Sequence, residues 1–248
     1  MGIFTIAIAQ STSFKGNIDA NIVHHLKLIQ TAAYSNARFI IFPELSLTGY
    51  EPELADKLVL SINDTRLDSL KYAARQHDIT IVAGAPIRSS AGELHIGSIC
   101  FFADGSIRTY AKRFLHPGEE KYFSPGNEPA IISVGGQKIG LAICADIANP
   151  IHAEDVAHAG GYFYAVSILV AENGYNTDTQ LLKNYALKHN MPVFMANHCT
   201  ETGGYIPAGK SAAWDSQGDL IGSLPDANEA LLIVTRATNE WTSEIISV

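Results

Sequence analysis

The sequence predicts an α/β protein whose layered sheets are covered by helices, and three observations predict it. Strand-like and helix-like segments alternate from the first residues onward. The strand-like runs are short, branched and almost wholly apolar, as in sheet buried on both faces. From the middle section of the chain onward, pairs of such runs are joined by short turns, which adds hairpins to the crossovers.

In chain order, Phe4 to Ala9 (FTIAIA) reads as the opening strand. Asn17 follows as a helix cap, with Ile22, Leu26, Ile29 and Ala33 at helical spacing behind it. Arg38 to Phe42 is too short and too branched for a helix, and Pro43 ends it. Asp64 to His77 places Leu67, Leu70 and Ala74 on one helical face, and the ITIVAGAP run from Ile79 reads as a buried strand. Ile99–Phe102, the Asp104–Gly105 turn and the run to Tyr110 form one hairpin signal. Ala130–Val134, Gly135–Gly136 and Lys138–Cys144 form a second. Thr179–His189 is helical, Val193–Ala196 is strand-like, and Ala212–Asp215 with Leu220–Ser223 makes a third hairpin around Ser216–Gly218. No repeat or long linker interrupts the 248 residues, so residues 1–248 read as one domain.

Composition excludes several classes of function. A net charge of −8 lacks the basic footprint of a nucleic-acid partner. The longest mostly apolar stretch, Ala159 to Ala171, contains two glycines and falls short of the about 20 residues a membrane span needs. Three widely spaced cysteines are no disulfide framework, and the N-terminal MGIFTIAIAQ lacks the parts of a signal peptide. The expectation is a soluble, cytoplasmic, reduced protein.

Three positions are equipped for chemistry. Glu44, in the segment Phe42 to Tyr50, stands at the tip of an apolar strand just after a proline. Burial there raises a carboxylate's pKa toward the value a general base needs, although an isolated Pro-Glu is more often a capping or surface-paired loop residue. Lys112 follows the first hairpin; a lysine beside a buried cysteine can hold an oxyanion, whereas most lysines are solvated. Cys144 ends the run from Lys138, where a following turn offers backbone N–H groups, against the alternative of an inert core thiol. Cys100, mid-strand, reads as a core thiol. Cys199 follows His198, but neighbours on an extended segment point to opposite faces, so that pair is set aside.

Together, the ordered segments Phe42–Tyr50, Lys112 leading to Glu119–Gly126, and Gly140–Asp146 resemble the nitrilase superfamily of carbon–nitrogen hydrolases. Ala9–Gln10, Ala186–Asn197 and Gly209–Gly218 extend the likeness over the chain. The resemblance implies a four-layer α-β-β-α sandwich, a homodimer paired through helices near the nucleophile, and no metal or organic cofactor. It implies Glu44 as base, Lys112 as transition-state stabiliser and Cys144 as nucleophile, with Glu119, or its neighbour Glu120, as a second glutamate. Tyr50, the backbone N–H of Ala145, and Glu172 are the expected substrate contacts. Glu172 loosely resembles a glutamate of the carbamoylputrescine branch, where it would meet a distal ammonium, against the alternative of a solvated strand-end residue. The chain departs from the family pattern at Ala145 and Ala148, where an aromatic residue and an arginine are common, so specificity is not carried over.

The expected reaction is hydrolysis of a small amide or N-carbamoyl compound through a thioester. Two other readings compete: an acyltransferase that passes the thioester to an amine, and a non-catalytic binding protein on the same fold. The absence of a Cys-x-x-Cys pair disfavours a thiol redox protein.

Overall fold

The computed structural model describes residues 2–225, 228–238 and 240–248. The chain opens with strand β1 (Phe4–Gln10), helix α1 (Ile18–Tyr34) and strand β2 (Phe39–Ile41). Helix α2 (Asp68–Gln76) leads into the meander β3 (Thr80–Arg88), β4 (Leu94–Phe101) and β5 (Ile107–Ala111). The second half comprises the hairpin β6 (Ala130–Val134) and β7 (Gln137–Ile143), helix α3 (Pro150–His158), strand β8 (Phe163–Ile168) and helix α4 (Glu172–His189). Strand β9 (Val193–Asn197) and the hairpin β10 (Ala212–Trp214) and β11 (Leu220–Ser223) complete it. The closing strands β12 (Ala230–Ala237) and β13 (Glu240–Ser247) return to the first sheet.

Two mixed sheets result, ordered β13-β12-β1-β2-β3-β4-β5 and β11-β10-β9-β8-β7-β6. In each, three parallel strands (β1, β2 and β3; β7, β8 and β9) are framed by antiparallel ones. Period-two alternation sorts the side chains into layers. On β1, Phe4, Ile6 and Ile8 enter the core between the sheets, while Ala7 and Ala9 face α1 and α2. On β7, Ile139, Leu141 and Ile143 face the other sheet and Ala142 faces the α3–α4 side. Both sheets are therefore covered on both faces, which is the α-β-β-α sandwich. Among the described residues, no helix is long and apolar enough to cross a membrane.

The structure departs from the sequence reading in three places. The buried face of α1 runs through Ile18, Ile22, His25, Ile29 and Ala32 rather than Leu26 and Ala33, because Asn21 and His25 are taken up by polar contacts beneath the next loop. Helix α4 begins at Glu172, seven residues before the expected start, since its polar first turns carry no apolar stripe. The apolar strand read before Glu172 is β8, which lies four residues back and is buried at every position, while the β12–β13 pair escaped the reading.

Candidate active site

The loops after β2, β5 and β7 carry Glu44, Lys112 and Cys144 to one place between the sheets. Glu44 sits in a loop laid flat on β3. A Cβ on Gly84 would lie 2.2 Å from the Leu45 nitrogen, so only glycine permits that approach. Leu45 takes φ 52°, a conformation costing a non-glycine residue about 1–2 kcal/mol. Polar contacts hold the loop there. The Gly84 N–H donates to Ser46 Oγ (3.1 Å), and Ser46 Oγ meets His25 Nε2 at 3.0 Å. The His25 ring stacks on Phe42 at 4.0 Å. From the other sheet, His198 Nε2 donates to the Glu44 carbonyl at 2.7 Å, and Ser167 Oγ donates to the Phe42 carbonyl at 2.7 Å. Burial holds His198 down to about 4, so its ring is neutral and serves as a fixed donor.

Lys112 is fully buried, and its Nζ donates to Glu44 Oε1 and to both oxygens of Glu119, each at 2.8 Å. Glu119 is held in turn by the Tyr50 hydroxyl (2.8 Å) and the His116 N–H (2.7 Å). The second oxygen of Glu44, Oε2, is buried with no hydrogen-bond partner. A buried carboxylate oxygen left idle is costly, and its position near Cys144 gives that cost a chemical reason.

Cys144 opens a short 3₁₀ turn at the end of β7 with φ 42°, a strained elbow that presents the sulfur to the cavity. Its Sγ lies 3.8 Å from the Leu169 carbonyl. Asp146, two residues on, fixes the elbow. One carboxylate oxygen accepts the N–H groups of Arg113 and Phe114, both at 2.9 Å. The other accepts the Ile143 N–H at 2.9 Å and the Tyr110 hydroxyl at 2.6 Å. The residue beside the cysteine thus grips the chain immediately after Lys112. Behind it, Tyr110 Oη meets His152 Nε2 at 2.8 Å, and His152 Nδ1 meets Tyr164 Oη at 2.8 Å. Because Tyr110 gives its proton to Asp146, it accepts from His152 Nε2–H, and Nδ1 accepts from Tyr164. The count closes with a neutral His152, whose pKa burial lowers.

The electrostatics follow from burial. Desolvation raises Glu44 to about 7; Lys112 opposes the rise and Glu119 adds to it. Burial also raises the Cys144 thiol, with Glu44 reinforcing it, so the resting sulfur carries its proton. Burial alone would lower Lys112, but Glu44, Cys144 and Glu119 outweigh it and leave a permanent cation. The arrangement is a protonated thiol beside a carboxylate that titrates near neutrality, with a fixed positive charge across from them.

A cavity of about 60 Å³ opens onto Glu44, Glu119 and Cys144, walled by Tyr50, His116, Leu169 and Tyr205. Of the expected glutamates, Glu119 is buried here, while Glu120 is exposed and accepts from the Gly118 N–H. Tyr50 lines the cavity with its hydroxyl already committed to Glu119. Ala145, half buried in the turn that Cys144 opens, and the exposed Ala148 do not line it. Glu172 is not gathered in either. It opens α4 in solvent, where Lys210 Nζ donates to both its oxygens at 2.8 and 2.9 Å. Of the two readings offered for Glu172, contact with a distal ammonium at the pocket mouth or solvation at a strand end, its place agrees with the solvated one, on the first turn of α4. Sequence reasoning missed His116, Asp146, His198 and Tyr205. For Asp146 alone a signal was present, in its place two residues after the cysteine. Cys199 is buried beside Thr12 Oγ1 (3.6 Å), and burial raises the core thiol of Cys100 to about 12. Among the described residues, no group of three or more His, Cys, Asp or Glu is placed to hold a metal.

The chain belongs to the carbon–nitrogen hydrolase family, whose model matches residues 5–244, and its fold is that of the nitrilase superfamily. The crystal structure of an amidase from Nesterenkonia sp. superposes with a TM-score of 0.86 at 25% identity, over 95% of this chain and 91% of that one. A cysteine-to-alanine mutant of that amidase has been solved in complex with butyramide. The glutamine-dependent NAD(+) synthetase of Aquifex aeolicus is 27% identical over 94% of this chain, and an (R)-stereoselective amidase of Pseudomonas sp. is 28% identical over 68% of it. The chain spans only part of these curated relatives, 42% of the synthetase and 60% of the amidase.

Proposed function

We propose that the protein is an amidase that hydrolyses a small amide, releasing ammonia and a carboxylic acid, with Cys144 as nucleophile, Glu44 as general base and Lys112 as oxyanion stabiliser. The observation that carries this reading is the idle, buried Oε2 of Glu44 beside the Cys144 thiol, on a carboxylate titrating at about 7. As sulfur bonds to the amide carbon, Glu44 takes the thiol proton, and the carbonyl oxygen becomes an anion stabilised by the charge of Lys112 Nζ. Collapse of the tetrahedral intermediate breaks the C–N bond. Glu44 returns its proton to the leaving nitrogen and the acyl group stays on sulfur as a thioester. Water, deprotonated by Glu44, then attacks the thioester; the acid leaves and the thiol is restored. The base and the oxyanion donors would each supply about 10²–10⁴-fold. Glu119 fixes Lys112 by two of its three hydrogen bonds, so it acts as a positioning residue.

The amidase-type neighbours and the small cavity favour an amide over an N-carbamoyl amine, and the Lys210 pairing removes the feature that favoured a distal ammonium. An ammonia-release screen over small amides, glutamine, carbamoyl compounds and nitriles tests the reading, with Cys144→Ala as blank. Amide turnover, with an acyl adduct on Cys144 by intact mass, supports it; release confined to carbamoyl compounds or nitriles sinks it. Added amines that divert product to N-substituted amides would instead favour acyl transfer. The homodimer implied by the resemblance would cover α3 and α4, where Ile151 and Leu187 stand about half exposed, and sedimentation would test it.

A further inference from the structure

The cavity at Cys144 is the inner of two chambers. The outer, of about 470 Å³, is bordered by Lys15, Glu51, Glu53 and Tyr122, and shares Tyr50, His116, Glu119 and Tyr205 with the inner one. The inner chamber, about 60 Å³ against about 470 Å³, has room for a small acyl group and little more.

Tyr205 is built to enforce that limit. Its backbone closes a tight turn: the Thr202 N–H donates to the Tyr205 carbonyl at 3.1 Å, and the Tyr205 N–H donates to the Thr202 carbonyl at 2.9 Å. Gly203 and Gly204 supply the positive φ of 58° and 77° between them. The turn is pinned from below. Tyr50 N–H donates to Thr202 Oγ1 at 2.8 Å, Gly203 N–H donates to Glu51 Oε1 at 3.3 Å, and a Cβ on Gly203 would lie 2.2 Å from the Tyr50 carbonyl. The ring is held far more lightly than the backbone: it stands 49% exposed and touches Tyr50 edge-on at 5.8 Å.

We infer that the Tyr205 ring, carried on a pinned turn and lining both chambers, sets the acyl length of the substrate and restricts it to amides with short acyl chains. The inference rests on the amidase reading and extends it to a substrate class. A longer acyl chain has to displace the ring to reach the outer chamber. Steric discrimination of this kind amounts to roughly 10–200-fold per methylene in an apolar pocket.

The experiment compares kcat/KM for acetamide, butyramide and hexanamide in the wild type, Tyr205→Ala and Tyr205→Phe, read as the hexanamide-to-acetamide ratio. Tyr205→Ala is expected to raise that ratio at least about 10-fold, and Tyr205→Phe, which keeps the ring, to leave it as in the wild type. A parallel measurement needs no turnover: the rate of Cys144 alkylation by iodoacetamide and by N-phenyl-iodoacetamide, read by intact mass with Cys144→Ala as blank. Tyr205→Ala should speed the bulky reagent relative to the small one. Unchanged ratios in a folded Tyr205→Ala variant would overturn the inference while leaving the amidase reading intact. No turnover of any amide, with the alkylation ratio shifted as expected, would sink the amidase reading and leave the gate standing.

Discussion

Two of the polar clusters in the interior, Glu44–Lys112–Glu119 and Asp146–Tyr110–His152–Tyr164, invite comparison. Both are buried, both contain an anion, and both draw on residues far apart in the chain. They differ in how completely their hydrogen bonds are spent. Asp146 accepts four donors across its two oxygens, and every proton in the chain behind it has an acceptor. Glu44 has one oxygen satisfied and one idle, facing a cavity. A saturated cluster fixes geometry, and an unsaturated one keeps a lone pair available for a proton. At Glu44 the unfinished hydrogen-bond count falls on the carboxylate proposed to take the thiol proton.

The largest effect should fall on the unfinished cluster. Cys144→Ala is expected to lower kcat/KM by about 10⁴-fold or more and Glu44→Gln by about 10²–10⁴-fold, in steady-state ammonia release. Neither should cost much stability. Asp146→Ala strands three backbone N–H groups and the Tyr110 hydroxyl, so it should cost about 3–5 kcal/mol in chemical denaturation. His152→Phe leaves Tyr164 without its acceptor and should cost about 1–3 kcal/mol with kcat little changed. A His152→Phe protein of wild-type stability with activity reduced tenfold would break the contrast. The pH profile sharpens it. As the proposed base Glu44 has to be ionised, so under that reading kcat/KM should rise with pH along a limb centred at about 7. The negative charge of Glu119 helps to hold that pKa up, so Glu119→Gln should move the limb toward acid. Smallest of all, Glu120→Gln and Glu172→Gln, both at exposed carboxylates, should change kcat/KM less than about twofold.

The strands and hairpins that carry the site were legible because each lies in one local run with its own turn residues. Glu44, Lys112 and Cys144 could be named because each sits at the end of such a run, in a motif that stands in sequence order. The choice between Glu119 and Glu120 was not legible. It is made by the 3₁₀ turn after Gly118, which sends one carboxylate to Lys112 and the other into solvent. His198 and His152 act on partners 154 and 42 residues away, a distance over which no periodicity speaks. Glu172 misled for a local reason: an apolar strand precedes it, and a helix with a polar first turn gives no warning of its start.

Glu44 and Lys112 hang from one sheet and Cys144 from the other, and at their meeting point the bridges between the sheets are polar: Ser167 to Phe42, His198 to Glu44, and Asp146 to the Arg113–Phe114 backbone. Under the proposed mechanism, catalytic competence therefore gauges how the two halves of the sandwich are docked. As denaturant is raised, turnover should vanish while the circular dichroism of both halves is still intact, because a slip of a fraction of an ångström parts the sulfur from its base before it melts any strand.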